Sequence, residues 1–116
     1  MLHRHAAFEL FRVDQGELSF YAETETGEVS RSVAAAGAVI AIPGGREHTV
    51  RNESDREARA FVVLSPGADM ERFARAAGEL AEGGSHVSPA EVIELAAANG
   101  VEITRPVPAL PADGGG

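Results

Sequence analysis

The 116-residue sequence has no cysteine. Disulfides, thiolate metal sites and cysteine nucleophiles are therefore excluded. It has no lysine either; every basic residue other than histidine is arginine. That removes Schiff-base chemistry on a lysine amine. Positive charge is scarce: 10 basic residues stand against 18 acidic ones, for a formal net charge of −8. No basic cluster is present to neutralise phosphates, so neither nucleic acid nor an anionic membrane surface is an expected partner. No apolar run approaches membrane-spanning length, and Met1-Leu2-His3-Arg4-His5 contains no signal-like apolar region. The expectation is a soluble, cytoplasmic protein.

What remains has the ordinary apolar and charged content of a globular chain, and its length suits one domain with a modest core. The first two-thirds reads as β. Phe8 to Val13 is an apolar, β-prone run that ends at the turn signal Asp14-Gln15-Gly16. Glu17 to Glu23 alternates, with Leu18, Phe20 and Ala22 on one side and Glu17, Ser19, Tyr21 and Glu23 on the other. A hairpin loop at Thr24 to Gly27 leads to a weaker strand over Val29 to Ala34. Ala38 to Ile42 and Ala58 to Ser65 read as buried strands, and His48 to Asn52 as a strand after the turn Pro43-Gly44-Gly45. Short strands at this spacing predict a sandwich or barrel.

After Ser65-Pro66-Gly67 the pattern turns helical. Met70, Phe73, Ala74 and Ala77 share helical spacing within Asp69 to Leu80. Gly83 to His86 reads as a linker, with His86 a solvated loop residue. Ser88-Pro89-Ala90-Glu91 is a helix start with a capping box, and Asn99-Gly100 is a stop. Val101 to Ile103 reads as a short extended segment. The resulting division is 1–66 as barrel, 67–105 as helical extension and 106–116 as a Pro/Ala/Gly tail expected to be disordered.

Three of the four histidines fall in two spaced motifs. The first is His3, His5, Glu9 and Gly16; the second is Gly37, Pro43, Gly45, His48 and Asn52. On a strand, His3 and His5 point to one face about 6.5–7 Å apart, close enough to converge on one ion. Four residues of extended chain cover about 13 Å, so Glu9 joins them only if the chain turns at Ala6-Ala7. The apolar neighbours Phe8, Leu10 and Phe11 predict that Glu9 is buried, where a carboxylate needs a partner. His48 must come from a further inward-facing strand. Gly37, Pro43 and Gly45 serve as turn formers, and Asn52 braces its turn through backbone hydrogen bonds.

Both motifs resemble the two signature motifs of the cupin superfamily, in the same order and over roughly Leu2 to Ser65. The resemblance implies a mainly β fold, a double-stranded β-helix or jelly-roll-like barrel, with a two-helix C-terminal extension. It implies that His3, His5, Glu9 and His48 bind a divalent transition metal inside the barrel, as Fe, Mn, Ni, Cu, Co or Zn. The segment around Met70-Glu71-Arg72-Phe73 and the later Ile93 to Ile103 stretch loosely resemble the tail of bacterial quercetin 2,3-dioxygenase-like cupins. Two features depart from the family: the glycine that usually opens the first motif is absent, and so are one or two strands that usually precede the histidine pair. A fragment, a partner protomer lending strands, or a reduced cupin, with or without a metal, would each explain this. The unpaired edge so created favours a homodimer or a shortened chain.

The expected activity is a metal-dependent dioxygenase acting on a small aromatic or enol-type substrate, with Glu9 as both ligand and catalytic base. The alternatives are a metal-dependent isomerase, epimerase or cyclase, and a non-catalytic small-molecule binder.

Overall fold

The strands follow one another in the order read from the sequence: β1 (His3–His5), β2 (Phe8–Gln15), β3 (Glu17–Glu23), β4 (Val29–Ala35), β5 (Val39–Ile42), β6 (His48–Arg51) and β7 (Arg59–Ser65). They are followed by helices α1 (Ala68–Glu82) and α2 (Pro89–Ala98) and a last strand, β8 (Val101–Ile103). The structure is a computed structural model and describes residues 1–83 and 88–110. The linker expected at His86, and the tail from 111 onward, lie outside the described residues.

The strands form two antiparallel sheets, in the orders β4-β3-β6-β1-β8 and β5-β2-β7. The sandwich of these sheets, with two C-terminal helices, is the architecture that the cupin-like motifs imply. Phe11, Val13, Phe20, Ala34 and Ile42 make the core between them, with the Phe11 and Phe20 rings edge to face at 5.2 Å. The alternation in β3 sends Phe20 into this core. Ser19 and Tyr21 face outward yet are also buried. The reason is a polar roof: the Arg51 guanidinium lies over the Tyr21 ring, and the Tyr21 hydroxyl donates to Glu53 at 2.7 Å, which also accepts from Arg31.

Helix α2 begins as its sequence predicts. The Glu91 amide donates to Ser88 Oγ at 3.2 Å, and the Ser88 amide donates to Glu91 at 2.7 Å. Helix α1 is amphipathic, but no residue of it is buried.

The unpaired edge expected beside β1 is closed. β8 pairs antiparallel with β1, setting His3 opposite Ile103, Arg4 opposite Glu102 and His5 opposite Val101. The Leu2 amide donates to the Arg105 carbonyl at 2.8 Å and the Thr104 amide to the Leu2 carbonyl at 2.9 Å. Leu2, at 0% exposure, is fully buried by this closure. The physical reason is local: Gly100 takes a positive φ of 81° after α2, which turns the chain back so that a short strand with β-branched Val101 and Ile103 can add to the sheet.

Candidate metal centre

One row of residues crosses the larger sheet at the site. Ala22 on β3 pairs with His48 on β6, His48 with His3 on β1, and His3 with Ile103 on β8. Directly paired residues share a face, so both imidazoles point into the sandwich. His5 lies two residues along β1 on the same face. Glu9 comes from the other sheet, where it sits between Ile42 on β5 and Leu64 on β7. The turn at Ala6-Ala7 therefore does more than reverse the chain: it carries it from one sheet to the other, and Glu9 faces the histidines across the interior.

That crossing depends on close backbone contact. The Gly45 amide donates to the His5 carbonyl at 2.8 Å, and a Cβ on Gly44 would run into the Ala6 carbonyl oxygen. The turn Pro43-Gly44-Gly45 thus locks against Ala6-Ala7, which places His48, three residues later, beside β1. Asn52 braces the following turn as expected, donating to the Arg56 carbonyl at 2.6 Å and accepting from the Ser54 amide at 3.0 Å.

His3, His5, Glu9 and His48 gather so that one donor atom from each lies within 4.8 Å of the others. The rings stand 4.4 to 5.8 Å apart. His5, Glu9 and His48 are buried, and His48 is 1% exposed, which excludes a surface role for it. His3 is half-buried and forms the accessible side of the cluster.

The tautomers follow from the partners. His5 Nδ1 lies 3.0 Å from the Ala7 carbonyl oxygen, and His48 Nδ1 lies 2.8 Å from the Arg46 carbonyl oxygen. A carbonyl only accepts, so each Nδ1 carries a hydrogen, and Nε2 is the nitrogen each ring turns toward Glu9. Both Nε2 atoms aim at Glu9 Oε1, at 2.5 and 3.4 Å. Anchoring the far ring nitrogen on a carbonyl is how proteins orient metal-binding imidazoles. Burial, together with the neighbouring His48 and His5, pushes the His3 imidazole down to about 4, so it is neutral at physiological pH and its lone pair is free. Burial would raise the Glu9 carboxyl, but the hydrogen bond and charge of His48, and the charge of His5, outweigh it and hold the carboxyl below its usual range.

The donor set fits a first-row divalent ion. Three imidazole nitrogens and one carboxylate oxygen suit such ions and leave coordination positions open. Bonds of about 2.0–2.2 Å put opposite donors up to ~4.3 Å apart and neighbouring ones closer, so the four donors, now within 4.8 Å of one another, would draw in around an ion.

The model of the Cupin domain matches residues 1–64 of the 116. The chain belongs to the cupin family. No curated protein sequence matches it. The family match ends just before β7 does, and the helices and β8 lie beyond it. Two features of this cupin lay outside what its sequence disclosed. One is Glu47, which is buried and accepts from Arg105 at 2.8 Å, Thr104 at 3.1 Å and Arg4 at 3.3 Å, pinning the C-terminal strand to the sheet. The other is the group Met70, Phe73, Val101 and Ile103, which gathers beside His3.

Proposed function

We propose that this cupin is a metal-dependent oxidoreductase of the dioxygenase type, acting on a small aromatic or enol-type substrate. The observation that carries the reading is the pair of carbonyl-anchored imidazoles, His5 and His48, whose Nε2 atoms converge on Glu9 Oε1. His3, His5, Glu9 and His48 would hold the ion. When bound, that ion supplies Lewis acidity and open positions for oxygen ligands.

The chain's own residues would supply the proton chemistry and the dry surroundings. Glu9 is the catalytic base, its carboxylate accepting the proton of an enolic or phenolic hydroxyl. Its Oε1 already contacts His5 Nε2 at 2.5 Å, so charge left on either group is shared across that contact. Ile42 and Leu64 flank Glu9 and limit water.

A second reading uses the same contact without oxygen: the Glu9–His5 pair can move a proton between carbons of a carbonyl substrate, which is isomerase chemistry. Oxygen uptake by protein reconstituted with each metal in turn, over catechols and flavonols, tests the first. An uptake no greater than that of metal alone sinks it. Deuterium from solvent appearing in substrate without oxygen use would favour the second.

A further inference from the structure

Beside His3 lies a cavity of about 220 Å³ lined by Met1, His3, Met70, Phe73, Val101 and Ile103. Every lining side chain but His3 is apolar. Its position is set by the sheet. Ile103 pairs with His3 and Val101 with His5, so both project from the face that carries the imidazoles. Helix α1 supplies the facing wall through Met70 and Phe73, one helical turn apart. Because His5, Glu9 and His48 are buried and His3 is not, this cavity lies on the accessible side of the cluster. Since no residue of α1 is buried, the wall it offers is apolar surface without full cover.

We propose that this cavity seats the apolar body of the substrate, and that Met70 and Phe73 set its size: a single-ring phenol or enol, held with its oxygen toward the histidine cluster. The proposal rests on the metal-site reading above. Volume decides the ring count. A cavity of about 150 Å³ takes benzene, and drug-sized ligands need about 300–1,000 Å³. About 220 Å³ suits one substituted ring and is small for a flavonol, a fused bicycle with a third ring attached. The apolar lining favours an uncharged ring over a sugar or a phosphorylated compound, whose polar groups would lose water without gaining partners.

The chain has 2 methionines, and both line this cavity. Labelling their ε-methyl carbons gives two NMR signals that report on it directly. Zinc-loaded protein, which has no redox activity, is titrated with catechol and, separately, with quercetin; zinc binding is followed through histidine ring nitrogen shifts. The expected result is a saturable shift of both methyl signals by catechol and none by quercetin. Phe73→Trp, which fills the cavity, is expected to weaken catechol at least about tenfold while the zinc-induced histidine shifts stay as in the wild type. Absence of a saturable methyl shift while zinc binds normally overturns the cavity proposal and leaves the metal site standing. Catechol-induced shifts without any zinc response would instead retain the cavity and remove the metal reading. Quercetin binding as tightly as catechol overturns the size limit, and an unchanged catechol affinity in Phe73→Trp overturns the role of α1.

Discussion

His48 is fixed by burial, strand pairing and a hydrogen bond at once. It is 1% exposed, it pairs with His3 across the sheet, and its Nδ1 is held by the Arg46 carbonyl. Loss of an outer-shell partner typically costs about 10–100-fold in metal affinity, and loss of a ligand should exceed that. Purified His48→Ala is therefore expected to carry little metal beside a near-stoichiometric wild type, read by elemental analysis; equal content in both would remove the site. The two glycines of the adjoining turn separate two physical effects. Gly45 has a φ of 81° but open space around it, so Gly45→Ala should cost only the left-handed penalty of about 1–2 kcal/mol. Gly44→Ala must displace the Ala6 backbone and is expected to cost more. Denaturant melts of the two variants check the order, and the reverse order would show that the Gly44 contact yields easily.

The strands of the first two-thirds were legible because each carries its own signal. Glu17 to Glu23 alternates, Ala38 to Ile42 is continuously apolar, and glycines mark the turns between. The continuous burial expected of Ala38 to Ile42 and Ala58 to Ser65 is not found, because both form edge strands of the smaller sheet, with Val39 57% exposed and no residue of β7 buried. The gathering of His3, His5, Glu9 and His48 was legible because the two motifs resemble the cupin pair, and because His3, His5 and Glu9 can meet only if the chain turns at Ala6-Ala7. What the local pattern of Val101 to Ile103 lacks is any trace of its partner. Three residues are too few to carry a periodicity, and a pairing between the two ends of the chain leaves no local mark. The hub at Glu47 was hidden for the same reason, since Arg105 and Thr104 lie far along the chain. Its removal should expose the dependence. Glu47→Ala takes away the charged acceptor shared by Arg4, Thr104 and Arg105, and a hydrogen bond to a charged group is worth about 1.5–3 kcal/mol, less here because both arginines stay partly in solvent. Faster hydrogen exchange is expected at the Leu2 and Thr104 amides, which bond across the β1–β8 junction, while β3 and β4 keep their protection. Uniform loss of protection would show that the C-terminal strand does not open on its own. On the outer face of the larger sheet, Glu53 is held below its usual range by the Tyr21 hydroxyl first, then by Ser19 and Arg31. A carboxylate whose folded value is depressed adds stability above its ordinary value of 4.5 and loses it as pH falls through the depressed one. Melting temperature should therefore drop below about pH 4.5, and by less in Glu53→Gln; parallel curves would show that this network contributes nothing.

At the scale of the whole molecule, the smaller sheet is the open side. β7 is its edge strand, and three successive large residues on it are exposed: Phe61 at 56%, Val62 at 39% and Val63 at 41%. Both faces of the strand are thus uncovered, and natural proteins seldom leave such an edge unguarded. The partner expected there is a second copy of the chain. Antiparallel self-pairing centred on Val62 sets Phe61 against Val63 and Arg59 against Ser65, so no like charges meet. Light scattering should find a dimer that Val62→Lys converts to monomer without loss of metal; a monomeric wild type would discard this interface.

The closure of β1 by β8 also fixes an order in time. His3 and His5 are among the first residues of the described chain to be synthesised, but the strand that steadies them is among the last. Until residues 101–103 have left the ribosome, His3 and His5 belong to a strand held on one side alone. A nascent chain therefore presents Glu9 and His48 before it can hold His3 firmly, and any metal capture by the full cluster would wait for β8 to emerge.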